Sequence, residues 1–231
     1  MRAEEWMKSD PARYADMESY LRNGQWSVAY ESETALRLSW DRGWLHAVAA
    51  FDLEEARRVL AQIPPEDAVV LRGCEGLREL AADLSFNGCN PCYQAVYEKD
   101  TPVPVSTDLT IRHPYEEDFP RVAAAYHLSS EEELRADFDG PDFLGGYLDG
   151  TLAGYIGLHS EGSMGNLYVF PPFRGRGYAA ALYGTLINRQ LRKGRRPFAQ
   201  IIADNEASLN LQRKLGLRLS DGLVYWMWRK G

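Results

Sequence analysis

The stretch Leu167–Ala179 constrains the fold of this chain more than any other. Its apolar run Leu167, Tyr168 and Val169 predicts a buried strand, and Pro171 and Pro172 end it. Arg174-Gly175-Arg176-Gly177 then leads into a predicted helix over Tyr178–Lys193. Its apolar residues Ala179, Leu182, Tyr183, Leu186, Ile187 and Leu191 recur at helical spacing. The order is strand, glycine-rich turn, helix. Such a turn offers free backbone N–H groups at the positive end of a helix dipole, which is a seat for phosphate. Its glycines let the backbone approach an anion closely, because no Cβ intervenes.

The charge balance narrows the ligand. A net charge of −7 over 231 residues argues against a general nucleic-acid binder. Between Arg174 and Arg196, however, every charged residue is basic: Arg174, Arg176, Arg189, Arg192, Lys193, Arg195 and Arg196. One basic segment beside a glycine turn in an acidic protein suits a small phosphorylated ligand. Arg192–Arg196 read as a solvated helix end. No apolar run reaches about 18 residues, so no membrane-spanning helix is expected. The residues after Met1 lack a signal-peptide core. Cys74, Cys89 and Cys92 make no disulfide framework. Cys89 and Cys92 form a Cys-x-x-Cys with no second pair, ahead of a predicted strand, and are read as structural rather than metal ligands. A soluble cytoplasmic protein is expected.

Periodicity predicts a mixed α/β chain in two parts. In the first, a helix over Ala12–Arg22 precedes strands at Trp26–Tyr30, Ala35–Trp40 and Trp44–Phe51. Then come a helix at Leu53–Gln62, a strand at Asp67–Arg72, a helix at Leu77–Leu84 and a strand at Cys92–Glu98. Pro102 and Pro104 stiffen a linker, which divides residues 1–106 from residues 107–231. The second part has a strand at Leu109–Arg112, a helix at Tyr115–Tyr126, and Ser129-Ser130 followed by Glu132 and Glu133 as a capping box for a further helix. An Asp149-Gly150 hairpin follows. After the opening stretch come strands at Phe198–Ala203 and Leu223–Trp228, with a helix at Ala207–Leu215 between them. Both parts run strand-helix-strand-helix-strand, which reads as a diverged duplication. Where the second has its Arg-Gly-Arg-Gly, the first has Phe51-Asp52-Leu53-Glu54-Glu55, whose carboxylates would repel a pyrophosphate.

Two motifs about 30 residues apart carry a resemblance to a known family. One is Val169-Phe170-Pro171 followed by Arg174-Gly175-Arg176-Gly177-Tyr178-Ala179; the other is Asn205-Glu206-Ala207-Ser208 with Leu211 and Leu215-Gly216-Leu217. Over about Leu109–Gly231 the chain resembles the GNAT acyltransferase superfamily. The layout is similar to tandem GNAT proteins whose first domain is degenerate, such as the glycine N-acyltransferase-like group. The resemblance implies two tandem GNAT-like domains with mixed sheets, and transfer of an acyl group, most simply acetyl, from acyl-CoA to a primary amine of a small molecule or amino acid. Acetyl-CoA would be the co-substrate, with no metal, no nucleic acid and no membrane partner. A longer acyl donor, or a CoA-binding sensor without turnover, are the alternatives.

The resemblance also implies site residues. The pantetheine arm would lie along Leu167, Tyr168 and Val169, with the Val169 N–H polarising the acyl carbonyl. One such oxyanion donor contributes about 2.7–4 kcal/mol. Backbone amides of Arg174, Gly175, Arg176, Gly177, Tyr178 and Ala179 would hold the pyrophosphate. Asn205, also read as a helix N-cap, and Ser208 would face the pantetheine or the departing thiol. Where many members place a tyrosine as proton donor this chain has Gln212, which cannot supply that proton. Water, Tyr168 or Tyr225 could serve, or the thiolate could leave unaided. Glu161, just before the central strand, is the candidate base, with Ser163 a candidate hydrogen-bond partner for substrate. His159 reads as a solvated strand-end imidazole.

Overall fold

The computed structural model describes residues 3–230. In chain order the elements are helices α1 (Ala3–Ser9) and α2 (Ala15–Asn23), strands β1 (Trp26–Glu31), β2 (Ala35–Trp40) and β3 (Leu45–Ala50), then α3 (Leu53–Leu60), β4 (Ala68–Gly73), α4 (Leu77–Asp83) and β5 (Gly88–Val96). After them come β6 (Thr110–Arg112), α5 (Phe119–Ala123), α6 (Glu131–Phe138), β7 (Leu144–Leu148), β8 (Thr151–Leu158) and β9 (Met164–Val169). The chain closes with α7 (Tyr178–Arg192), β10 (Phe198–Ile202), α8 (Glu206–Lys214) and β11 (Arg218–Trp228). The fold is mixed α/β with two sheets.

Two compact units interleave the chain rather than following one cut along it. The first gathers residues 1–95, 201–206 and 219–231; the second holds residues 96–200 and 207–218. In the first unit β3 and β4 run parallel, as a strand-helix-strand crossover requires, while β2 and β3 are antiparallel. β11 joins β4 antiparallel, with Tyr225 opposite Leu71 and Met227 opposite Val69. The strand order is β1-β2-β3-β4-β11-β5-β10, and β10 carries the chain across the division of units. Val48, Val69, Leu71, Phe86 and Met227 form part of the core. Arg72 and Asp16 are fully buried and bridge each other, with Nη2 to Oδ2 at 2.5 Å. Ser39 and His46 are cross-strand partners, and His46 links Ser39 Oγ at 2.8 Å to Asp67 Oδ2 at 2.9 Å, a line that braces β2, β3 and the start of β4.

The second unit has the antiparallel sheet β6-β7-β8-β9, with β9 at its edge and α7 packed against β7, β8 and β9. Its core is aromatic: Phe138, Phe143, Tyr155, Tyr168 and Phe170 touch in sequence.

Several elements differ from the sequence reading. The helix expected over Tyr115–Tyr126 is a 3-10 turn at Glu116–Asp118 followed by the short α5, because Pro120 has no N–H to continue a helix and belongs at its start. The first helix begins at Ala15 rather than Ala12, and α1 precedes it. β5 begins at Gly88, so Cys89 and Cys92 lie within a strand; burial pushes the Cys92 thiol up to about 12, which makes it inert. β11 begins at Arg218, five residues before the expected Leu223.

Candidate active site

β9 supplies an unpaired sheet edge. Phe170 donates its N–H to the Ala153 carbonyl at 3.0 Å, and Val169 stands opposite Gly154. Antiparallel alternation therefore turns the N–H and C=O of Val169 away from β8, toward the open edge. The carbonyl is used locally: Arg174 Nε donates to it at 2.9 Å. The same alternation assigns Leu167 to the open side. Leu167, Tyr168 and Val169 are half-buried, not buried as expected, because an edge strand is covered on one side only. Directly before Leu167, Asn166 takes φ +53° beside a register shift between Tyr155 and Gly157. This bulge bends the strand and re-aims the residues that follow.

The turn after β9 is exposed and leaves a helix start open. Gly175 and Gly177 have φ of +77° and +80°, conformations that L side chains rarely adopt. Gly177 caps α7 with no side-chain cap, no acidic residue follows in the first turn, and a Cβ at either glycine would meet nothing within 4 Å. The first N–H groups of a 15-residue helix thus face open space without a side-chain acceptor. Arg174 folds back on β9, with its guanidinium 5.4 Å from the Tyr168 ring centroid. Arg176 is exposed. The Tyr178 side chain belongs to the core with Leu109 and Ala153, its hydroxyl donating to Asp108 Oδ2 at 3.3 Å, so only its backbone amide is available to a ligand. Ala179 lies in the first turn of α7.

A buried polar cluster sits where the chain enters β9, and most of it escaped the sequence reading. Asp137 of α6, 6% exposed, accepts three hydrogen bonds: from His159 Nδ1 at 3.1 Å, Ser160 Oγ at 3.0 Å and Asn166 Nδ2 at 2.8 Å. Ser163 donates to Glu161, itself 7% exposed. His159 is therefore not a solvated strand end; it is anchored to a carboxylate. A Cβ on Gly165 would fall 2.1 Å from His159 Nε2, so a glycine in β9 is what lets the imidazole lie against that strand. Burial pushes the Glu161 carboxyl up, against the pull of His159 and Ser163. Burial also opposes the charged form of His159, but the Asp137 hydrogen bond and the charges of Glu161, Asp137 and Glu133 outweigh it and hold the imidazole above its ordinary value. Tyr126, pushed up to about 12 chiefly by burial, faces Asp137 and Glu161 as a protonated phenol. The sequence signal for Asp137 and His159 was weak, because α6 and the β8–β9 loop meet only through the fold. Among the described residues no group of three or more His, Cys, Asp or Glu side chains is placed to hold a metal ion.

The remaining expected residues divide. Ser208 and Gln212 lie one turn apart on α8, in the second unit, and Gln212 Nε2 donates to Ser208 Oγ at 3.3 Å. Gln212 is buried and its Oε1 has no partner among the described residues; it is held in the interior and carries no acidic proton. Asn205, one residue before α8, is exposed and falls in the first unit's share of the chain, as does Tyr225. Tyr168 stacks on Tyr155 at 5.8 Å. The basic end of α7 is not simply solvated: Arg189 at 2.8 Å, Lys193 at 2.5 Å and Arg195 at 3.7 Å converge on the buried Asp142, and Arg196 donates to the Glu98 carbonyl at 2.6 Å. Those charges are used within the unit; the glycine turn keeps two exposed arginines, of which Arg174 holds the Val169 carbonyl and Arg176 lies on the turn.

Comparison with known proteins agrees with this layout. Residues 109–217 match the model of the acetyltransferase (GNAT) family. No curated protein matches the chain in sequence. Among solved structures, a Drosophila protein is similar with a TM-score of 0.63 at 20% identity, over 84% of this chain and 78% of that one. A GCN5-related N-acetyltransferase from Kribbella flavida is similar with a TM-score of 0.60 at 16% identity, over 95% and 96%. One from Sphaerobacter thermophilus gives 0.52 at 17% identity, over 95% and 90%. At these identities the likeness concerns the fold.

Proposed function

Because residues 109–217 match the model of the acetyltransferase (GNAT) family, we propose that the chain is an acyl-CoA-dependent N-acyltransferase, using acetyl-CoA and a primary amine of a small molecule or amino acid. One observation carries this reading: an edge strand with outward backbone groups runs into a glycine turn and an uncapped helix start. An extended arm with amides can add to a strand edge as a further strand would. A pyrophosphate at the end of that arm can take the N–H groups of a helix start. The groups we assign to the arm are Leu167, Tyr168 and Val169; those assigned to the pyrophosphate are the amides of Arg174 to Ala179. Asn205 and Ser208 are assigned to the pantetheine end. Bound acyl-CoA would supply an activated thioester.

In this reading the chain's own groups do three things. The Val169 N–H, and Leu167 beside it on the open side, stabilise charge on the acyl oxygen. The buried cluster that contains Glu161 takes the proton of the attacking amine. The leaving thiol has an ordinary pKa of about 8.5, so it departs as thiolate without needing a proton from Gln212. Among the described residues no helix is long and apolar enough to cross a membrane. The first half, with its carboxylate-filled helix start, is assigned no acyl-CoA.

The test is twofold. Acetyl-CoA at 100 times its dissociation constant should stabilise the protein by about 2.7 kcal/mol, read as a rise in melting temperature. Free CoA should then be released with at least one amine of a panel of polyamines, aralkylamines and amino acids. Binding without release would favour the second reading, a CoA-responsive sensor, for which the buried Gln212 is the motivating observation. No stabilisation by acetyl-, propionyl- or longer acyl-CoA would sink both.

A further inference from the structure

Resting on that reading, we propose that the cluster at the entry to β9 receives the acceptor's primary amine, and that His159, oriented by Asp137, takes its proton. Four observations converge. His159 Nδ1 is committed to Asp137 Oδ2 at 3.1 Å, which fixes the ring and leaves Nε2 as its second nitrogen. Nε2 lies against Gly165 of β9, where a methyl group would collide with it. The imidazole is more accessible than the carboxylate that anchors it, its side chain 27% exposed where that of Asp137 is 3%. Finally, Asn166 is 1% exposed and its Nδ2 is fixed on the same Asp137 oxygen, yet its Oδ1 has no hydrogen-bond partner among the described residues. A buried acceptor without a donor is costly, and an N–H of a bound amine would satisfy it.

The surroundings select the substrate. Asp137 and Glu133 of α6, and Glu161 of the β8–β9 loop, are the charged groups that bear on His159, and all are acidic; Tyr126 adds a protonated phenol. A cationic or neutral amine is admitted, whereas an acceptor with a carboxylate beside its amine meets repulsion. This favours polyamines and aralkylamines over α-amino acids.

In the step, the neutral amine nitrogen attacks the thioester carbonyl carbon. The new N–C bond forms and the C–S bond breaks. The surplus N–H proton passes to His159 Nε2 and from there to solvent, and the CoA thiolate takes a proton from solvent. Glu161, hydrogen-bonded to Ser163 and favoured in its neutral form by burial, positions the loop rather than accepting the proton.

The sign of the pH dependence follows. Only neutral imidazole accepts, and its pKa is held above the ordinary value, so turnover falls as pH drops through that raised value. Asp137→Asn removes the group that holds the proton on the ring, burial is then less opposed, and the limb moves to lower pH.

The experiment uses the full chain, acetyl-CoA and the panel amine turned over fastest. His159→Gln should lower kcat about a hundredfold or more and abolish the acid limb, while the acetyl-CoA melting shift stays at the wild-type value. Glu161→Gln should cost far less than His159→Gln. Independently of turnover, NMR titration of the imidazole assigned by His159→Gln should give a value above 6.5 that falls in Asp137→Asn. His159→Gln within twofold of wild type, a Glu161→Gln loss exceeding the His159→Gln loss, or a His159 titration unmoved by Asp137→Asn would each overturn the assignment. If wild type binds no acyl-CoA, both this assignment and the parent reading fail; if it binds and turns over, only the variants decide.

Discussion

The segments β3–α3 and β9–α7 share an order of strand, turn and helix, and they treat their free hydrogen-bonding groups in opposite ways. β3 lies between β2 and β4, so both of its edges are paired; β9 has one edge free. At the start of α3, Asp52 accepts the Glu55 N–H at 2.8 Å, and Glu54 and Glu55 fill the first turn. Glu55 also accepts from the Tyr30 hydroxyl at 2.5 Å and from Thr34, and hydrogen bonds from Ser32, Thr34 and Tyr30 hold its carboxyl near 2. At the start of α7 there is no cap, no acid and a glycine with φ +80°. The first segment answers its helix dipole from within. The second leaves it without a side-chain answer. On the proposed reading, a common topology provides the position of an anion site, and the cap residues decide whether the site is taken.

The sharpest way to break this comparison is to give the second helix start what the first one has. Gly177→Glu adds a carboxylate to the proposed anion seat and forces a side chain into the left-handed region. Acetyl-CoA affinity should fall at least a hundredfold by calorimetry. Gly177→Asn is the companion, since asparagine tolerates that backbone and carries no charge; it should keep the melting temperature and most of the affinity. Wild-type affinity in Gly177→Glu would mean that the pyrophosphate sits elsewhere.

The reverse change is smaller. Asp52→Ala removes the α3 cap and should destabilise the chain by about 1 kcal/mol in denaturant unfolding. It should create no acetyl-CoA binding outside α7, because β3 has no free edge for the arm. A second equivalent of bound acetyl-CoA would show that the caps alone separate the two segments.

Much of this contrast was legible in the sequence. The glycines at 175 and 177, the carboxylates at 52, 54 and 55, and the helical spacing after Tyr178 are local signals, and local signals survive in one dimension. The edge position of β9 was not legible, because an apolar run such as Leu167–Val169 reads alike whether one or both of its edges are paired. Nor was the place of β11, whose partner β4 lies far back in the chain. The Asp137–His159–Asn166 group was missed for the same reason: its members come from α6, the β8–β9 loop and a bulge inside β9, and no spacing rule links them. Glu161 was found by its place just before the strand, but only the fold places it beside an anchored imidazole.

The smallest effects lie in the two arginines of the turn, and they refine the comparison most finely. Sequence pattern treats Arg174 and Arg176 alike as phosphate partners. In the fold both are exposed, but Arg174 Nε holds the Val169 carbonyl and its guanidinium lies toward Tyr168, so its charge is turned back on β9. Exposed charges near a helix start act over about a Debye length and are screened by salt. Arg176→Ala should therefore weaken acetyl-CoA binding a few-fold at low salt, by about 0.3–1 kcal/mol, and flatten its salt dependence. Arg174→Ala should leave the salt dependence near that of wild type and instead loosen the end of β9, read as faster amide exchange at Val169 and Phe170. Equal salt slopes in the two variants would return Arg174 to the role its sequence position suggests, and would make the second segment's seat a matter of two charges rather than of an open helix start with one.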